Sequence, residues 1–144
     1  MAPPYNFERF LTAQEKTYLN ALSEIKNGRK LSHWMWFIFP QIKGLGFSDT
    51  SKFYAISDRI EAIQYLEHPV LGKRLVEISN ELLKVTRKTA HEIFGSPDDV
   101  KLQSCMTLFS SFANANPVFL SVLDKYFNGA KDDKTLQLVN TSLV

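Results

Sequence analysis

Apolar side chains recur along most of this chain at spacings of three and four, the period of one face of an α-helix. The clearest case follows Pro69, where Leu71, Leu75, Ile78, Leu82 and Val85 form one stripe. The opposite face carries Lys73, Arg74, Glu77, Asn80, Glu81 and Lys84, and reads as solvated. A second stripe, Leu102, Cys105, Met106, Phe109 and Ala113, follows Ser96-Pro97-Asp98-Asp99. That tetrapeptide predicts an N-cap serine, a first-position proline and acidic residues where the helix dipole favours them. Asn116-Pro117 repeats the device ahead of Phe119, Leu120, Leu123 and Phe127.

Shorter elements fill the remainder. Asn6 is placed to cap a first helix bearing Phe7, Phe10 and Leu11. A second is expected from Ala13 to Asn27, closed by Gly28, with Lys26, Arg29 and Lys30 complementing its C-terminus. Thr50 or Ser51 opens another through Ile56, and Ser57 caps one that turns Ile60, Ile63 and Tyr65 or Leu66 inward. Thr89 to Phe94 ends at Gly95, and Asp133 to Val139 is the last helix. Residues 1–5 read as a flexible arm and 140–144 as a loose tail.

One stretch departs from amphipathic patterning. In Ser32 to Gly46, SHWMWFIFPQIKGLG, bulky side chains run without interruption from His33 to Phe39 before a proline and a Gly-x-Gly turn. A segment with no polar face must be covered on most sides. Trp, Phe and Ile favour a strand, whereas Ser32 and Pro40 suit the ends of a helix. Helix is preferred, because no other segment alternates with period two and could pair with a strand. The expectation is one compact all-α domain, 1–144, of about eight short-to-medium helices around a buried aromatic element.

Composition bounds the function more than it defines it. A chain of 144 residues fits one core, and a formal charge of +2 from 17 basic and 15 acidic residues is too balanced for a nucleic-acid or membrane footprint. A single cysteine, Cys105, rules out an intrachain disulfide framework. With no membrane-length apolar run and no secretory pattern in MAPPYNFERF, a cytoplasmic location is expected.

Three histidines, His33, His68 and His91, lack the paired spacing of a metal site, so neither a metal nor a cofactor is expected. His68 lies at a helix boundary and His91 on a short exposed turn, and both read as structural. His33, at the mouth of the aromatic run, is a candidate catalytic residue together with Asp98. Cys105 reads as a core thiol, with Asp98 and Lys101 either an ion pair or the polar rim of a pocket. Trp34 and Trp36 point about 200° apart on a helix, so one should be core and the other can wall a pocket. Trp36, Gln41, Lys43 and Lys101 are the candidate ligand-binding residues. Any pocket is expected between the aromatic element and the start of the Pro97 helix, lined by these four with His33 and Asp98.

The blocks SHWMWFIFPQIKGLG, HPVLGKRL and IFGSPDDVKLQSCMTLF resemble domain of unknown function family 1810 over nearly the whole chain. The resemblance implies a mainly helical protein and brings no activity, cofactor or partner. A weaker similarity, through Met106 to Ser110 and the Asn-Pro that follows, is to NAD- and ADP-ribose-associated (NADAR, YbiA-like) proteins, which act on N-glycosidic bonds. The functional expectation is a protein that binds a nucleotide-derived or ribosyl small molecule, or a hydrolase of such N-glycosidic bonds. The alternative is a non-catalytic protein-interaction module.

Overall fold

The computed structural model describes residues 5–141. Among these, nine α-helices follow one another: α1 (Glu8–Lys26), α2 (Met35–Ile38), α3 (Asp49–Tyr54), α4 (Arg59–Glu67), α5 (Leu71–Lys84), α6 (Ala90–Phe94), α7 (Asp98–Ser110), α8 (Val118–Phe127) and α9 (Asp133–Thr141). The only extended pairing among the described residues is one parallel bridge, Ile42 with Ile56. Among the described residues, no helix is long and apolar enough to cross a membrane.

The stripe on α5 explains its position. Leu71, Leu75, Ile78 and Leu82 are all buried, and α5 packs against α1, α4 and α8. Each such side chain contributes roughly 1.5–3 kcal/mol through removal from water. α7 is covered by α4, α6, α8 and α9, and so buries seven residues, among them Leu102, Cys105, Met106 and Phe109. Both helices feed one core with Trp34, Met35 and Phe39. The aromatic stretch is therefore enclosed: Trp34 and Phe39 have ring centroids 6.1 Å apart, and both pack edge-on against Phe94.

Several boundaries differ from the sequence expectation. The two anticipated N-terminal helices are one, because nothing between Leu11 and Ala13 breaks the α1 hydrogen-bond ladder; Phe7 rather than Asn6 occupies its N-cap, without a side-chain cap bond. Tyr5 is anchored, its hydroxyl donating to both carboxylate oxygens of Asp58 at 2.8 and 2.9 Å. Residues 1–4 and 142–144 lie outside the described range. At the other end α9 extends through Thr141.

Ser32 does not cap α2, which starts at Met35 and is a single turn. The serine is instead drawn to Glu24, donating its hydroxyl at 2.7 Å. Asp58 replaces Ser57 as the α4 cap, since its carboxylate accepts from Glu61 N at 2.8 Å while Ser57 N is held by Glu61 Oε1. Ile60 is 57% exposed rather than inward.

Ser96 does not play its expected capping role. Pro97 itself holds the N-cap of α7, and Val70 that of α5. His68 serves α5 instead, its Nδ1 accepting from the amides of Val70 and Leu71 at 3.1 and 3.2 Å. α7 stops at Ser110, leaving Ala113 exposed, and Leu120 on α8 is 45% exposed. By contrast, Thr89 and Glu92 close a reciprocal capping box on α6, which Gly95 terminates at φ +72°.

Candidate ligand-binding pocket

Two buried acids position the walls of a pocket. Glu24, on α1, accepts from the amides of Leu31 and Ser32, from the Ser32 hydroxyl, from Asn20 and from Trp34 Nε1. Burial opposes its ionisation, yet these donors outweigh burial and hold its carboxyl down to about 2. The ring of donors fixes the turn that leads into α2, and so the direction in which Trp34 and Trp36 leave the chain. Trp34 is fully buried, whereas Trp36 is half-buried.

Glu61, on α4, pairs with Arg9 at 3.1 Å. Arg9 also donates to the carbonyls of Phe53 and Ala55 at 2.8 and 2.9 Å. This fastens the end of α3 to α1. Gln14 acts likewise on α2, its amide donating at 2.8 Å to the carbonyl of Phe37.

Between these anchors the chain from Gln41 to Ile56 forms a loop closed by two backbone hydrogen bonds, Lys43 N to Ile56 O at 2.7 Å and Ile56 N to Gln41 O at 2.8 Å. Within it Gly46 lies so close to Ser51 that an added Cβ would stand 2.5 Å from the serine Cβ. The glycine is thus required by close approach. Under this loop, facing α7, is a pocket of about 800 Å³. Its walls come from Trp36 of α2, the loop from Gln41 to Phe47, Ser51, Lys52 and Tyr54 of α3, Pro97, Val100, Lys101 and Ser104 at the α7 side, and Asp132.

Trp36, Gln41, Lys43 and Lys101, the candidate ligand-binding residues, all lie on this wall. The two catalytic candidates do not. His33 is exposed, because α2 begins two residues after it and leaves it in the preceding turn. Asp98 is turned toward cations, with Oδ2 2.9 Å from Lys30 Nζ and Oδ1 3.7 Å from Lys101 Nζ. Lys101 in turn places its ammonium 5.3 Å from the centre of the Trp36 ring. Asp98 therefore holds the pocket's lysine from behind.

Sequence reading missed Lys52, Tyr54, Ser104 and Asp132. Nothing in local spacing marks them, as they come from three separate elements that only the fold brings together. Asp132 is committed to structure: its Oδ2 caps α9 through Thr135 N at 3.0 Å and accepts from the Thr135 and Ser104 hydroxyls. Cys105 is buried behind Ser104, and burial pushes its thiol well above the ordinary value. No group of three or more His, Cys, Asp or Glu among the described residues is arranged to hold a metal ion.

The helical architecture and this loop-covered pocket define a small all-α protein with a sizeable concave site. The chain belongs to the family of proteins of unknown function DUF1810, whose family model matches residues 4–139. It is similar to a conserved hypothetical protein, Rv1873 from Mycobacterium tuberculosis, whose crystal structure it matches with a TM-score of 0.93 at 43% sequence identity. That match covers 96% of this chain and 99% of the mycobacterial one. No curated protein matches the sequence, and the similarity to NADAR proteins gains no support from these comparisons.

Proposed function

We propose that this protein binds a small molecule carrying a planar group, of the nucleotide-derived or ribosyl class, in the pocket beneath the Gln41–Ile56 loop. The observation that carries the reading is the wall itself, where the half-buried Trp36 indole lines a concave space of about 800 Å³ beside the ammonium of Lys101. The volume lies within the range of about 300–1,000 Å³ usual for small-molecule sites. An indole offers a large rigid face against which a planar ring can stack.

Binding is favoured over N-glycosidic hydrolysis by the state of the carboxylates. Such hydrolysis calls for a carboxylate free to act as a general acid or base at the scissile bond. The lining carboxylate, Asp132, is engaged in capping α9, and Asp98 is engaged with Lys30 and Lys101. The interaction-module alternative draws on Phe47 of the pocket wall and Phe53 of α3, which are 82% and 55% exposed.

A thermal-shift panel of nucleosides, nucleotides and ADP-ribose, repeated on Trp36→Ala and Lys101→Ala, tests the reading. The expected result is a melting-point rise with at least one compound in the wild type and a smaller rise in each variant. A compound that stabilises all three proteins equally would place its site elsewhere.

A further inference from the structure

Charge and unused hydrogen-bond donors gather at one edge of the pocket. Its lining holds Lys43, Lys52 and Lys101 against the single acid Asp132. The lining thus carries a formal charge of +2, equal to that of the whole 144-residue chain. Lys101 is compensated by Asp98. Lys43 and Lys52 are exposed, and neither side chain has an ion-pair or hydrogen-bond partner among the described residues.

The backbone between them is in part uncommitted as well. Lys43 N is taken up by Ile56 O and Leu45 closes the turn over Lys43 and Gly44, but the amides of Gly44, Gly46 and Phe47, residues that also line the pocket, donate to no acceptor among the described residues. Three such N–H groups within four residues, beside two unpaired ammonium groups, form a concentrated set of donors with positive charge. Phosphoryl oxygens, which are anionic and accept several hydrogen bonds each, are the ligand chemistry that uses such a set best.

We infer that the Gly44–Phe47 edge binds a phosphoryl group, so that the ligand is a nucleoside phosphate rather than an uncharged riboside. The inference rests on the reading of the pocket as a ligand site and adds a polarity to it. The planar base lies toward Trp36, and the phosphates lie toward Lys43 and Lys52.

Calorimetric titrations with adenosine, ADP and inorganic pyrophosphate test this at low and moderate NaCl. The wild type should bind ADP at least about tenfold more tightly than adenosine, as expected of charge-assisted contacts. The ADP affinity should fall as salt rises and screens them. Pyrophosphate should bind measurably but more weakly than ADP. In a Lys43→Ala/Lys52→Ala double variant the advantage of ADP over adenosine should shrink to about threefold or less, with the circular dichroism melting curve unchanged because both side chains are exposed and unpaired.

Equal wild-type affinities for adenosine and ADP, or an ADP affinity that the double variant keeps, would overturn the phosphate assignment. If Trp36→Ala still weakens both ligands in that case, the pocket reading survives. Failure of adenosine, ADP and pyrophosphate all to bind at millimolar concentration would overturn the phosphate assignment as well.

Discussion

Trp34 Nε1 donates to Glu24 Oε1 at 2.9 Å, joining the largest fully buried side chain of the core to a carboxylate one helix away. The two residues are only ten apart in sequence, yet the bond fixes how the chain leaves α1 and enters the aromatic stretch. The same carboxylate gathers the Leu31 and Ser32 amides, so one ionised group organises the turn that aims Trp36 into the pocket.

Acid should therefore weaken the fold through Glu24. Its folded-state value is depressed to about 2 from 4.5, so its contribution is fully present above pH 4.5 and is lost as pH falls toward 2. Glu24→Gln should cost about 2–4 kcal/mol at neutral pH. The gap between the variant and the wild type should narrow between pH 4.5 and pH 2. Urea midpoints followed by tryptophan fluorescence at pH 7, 4 and 3 check this, and a gap that stays constant with pH would contradict it.

Gly72→Ala tests the packing of α4 against α5. An added Cβ would fall 2.0 Å from the carbonyl oxygen of Leu66, a backbone atom that cannot swing away. The helix-propensity gain of about 1 kcal/mol is smaller than the about 1–3 kcal/mol of overpacking expected in a well-packed core. The melting temperature should fall. A variant more stable than the wild type would mean that the two helices separate easily.

The Arg9–Glu61 pair is buried on both sides, with side chains 8% and 2% exposed. Glu61→Ala leaves the guanidinium without its carboxylate and Ser57 N without its acceptor, and should cost about 3–5 kcal/mol. Because Arg9 also grips the carbonyls of Phe53 and Ala55, amide exchange should rise first around residues 53–57. Exchange that rises uniformly across the chain would show that the pair supports overall stability alone.

Cys105 should resist thiol reagents in the native protein. It is wholly buried, and burial raises its pKa, so the reactive thiolate is scarce as well as covered. Labelling by a disulfide reagent should follow the rate of opening and accelerate in denaturant near the unfolding midpoint. Rapid stoichiometric labelling without denaturant would show that α7 opens locally.

The fold class was legible because helical period is a local property. Leu71 through Leu82 and Leu102 through Phe109 declare their buried faces without reference to any other segment, and the stripes are buried as written. Helix ends were read less well, since a cap depends on which acceptor reaches the free amides first. Glu24 captured Ser32, Asp58 displaced Ser57, and His68 supplied a side-chain acceptor for the first amides of α5. The side chains that win are fixed by neighbours across the fold.

The pocket divides in the same way. Trp36, Gln41, Lys43 and Lys101 were legible as candidates because bulk, a glycine turn and charge mark them in the sequence itself. Lys52, Tyr54, Ser104 and Asp132 were not, since they join the wall only when the Ile42–Ile56 bridge folds the loop over α7. The sequence by itself determined a helical core and an aromatic element that had to be enclosed, as the removal of apolar surface from water demands. Only the tertiary structure decided that Trp34 is enclosed while Trp36 faces a cavity, that His33 stays in solvent, and that Asp98 supports a lysine. Those outcomes depend on directions and distances between separate helices, which no single stretch of chain encodes.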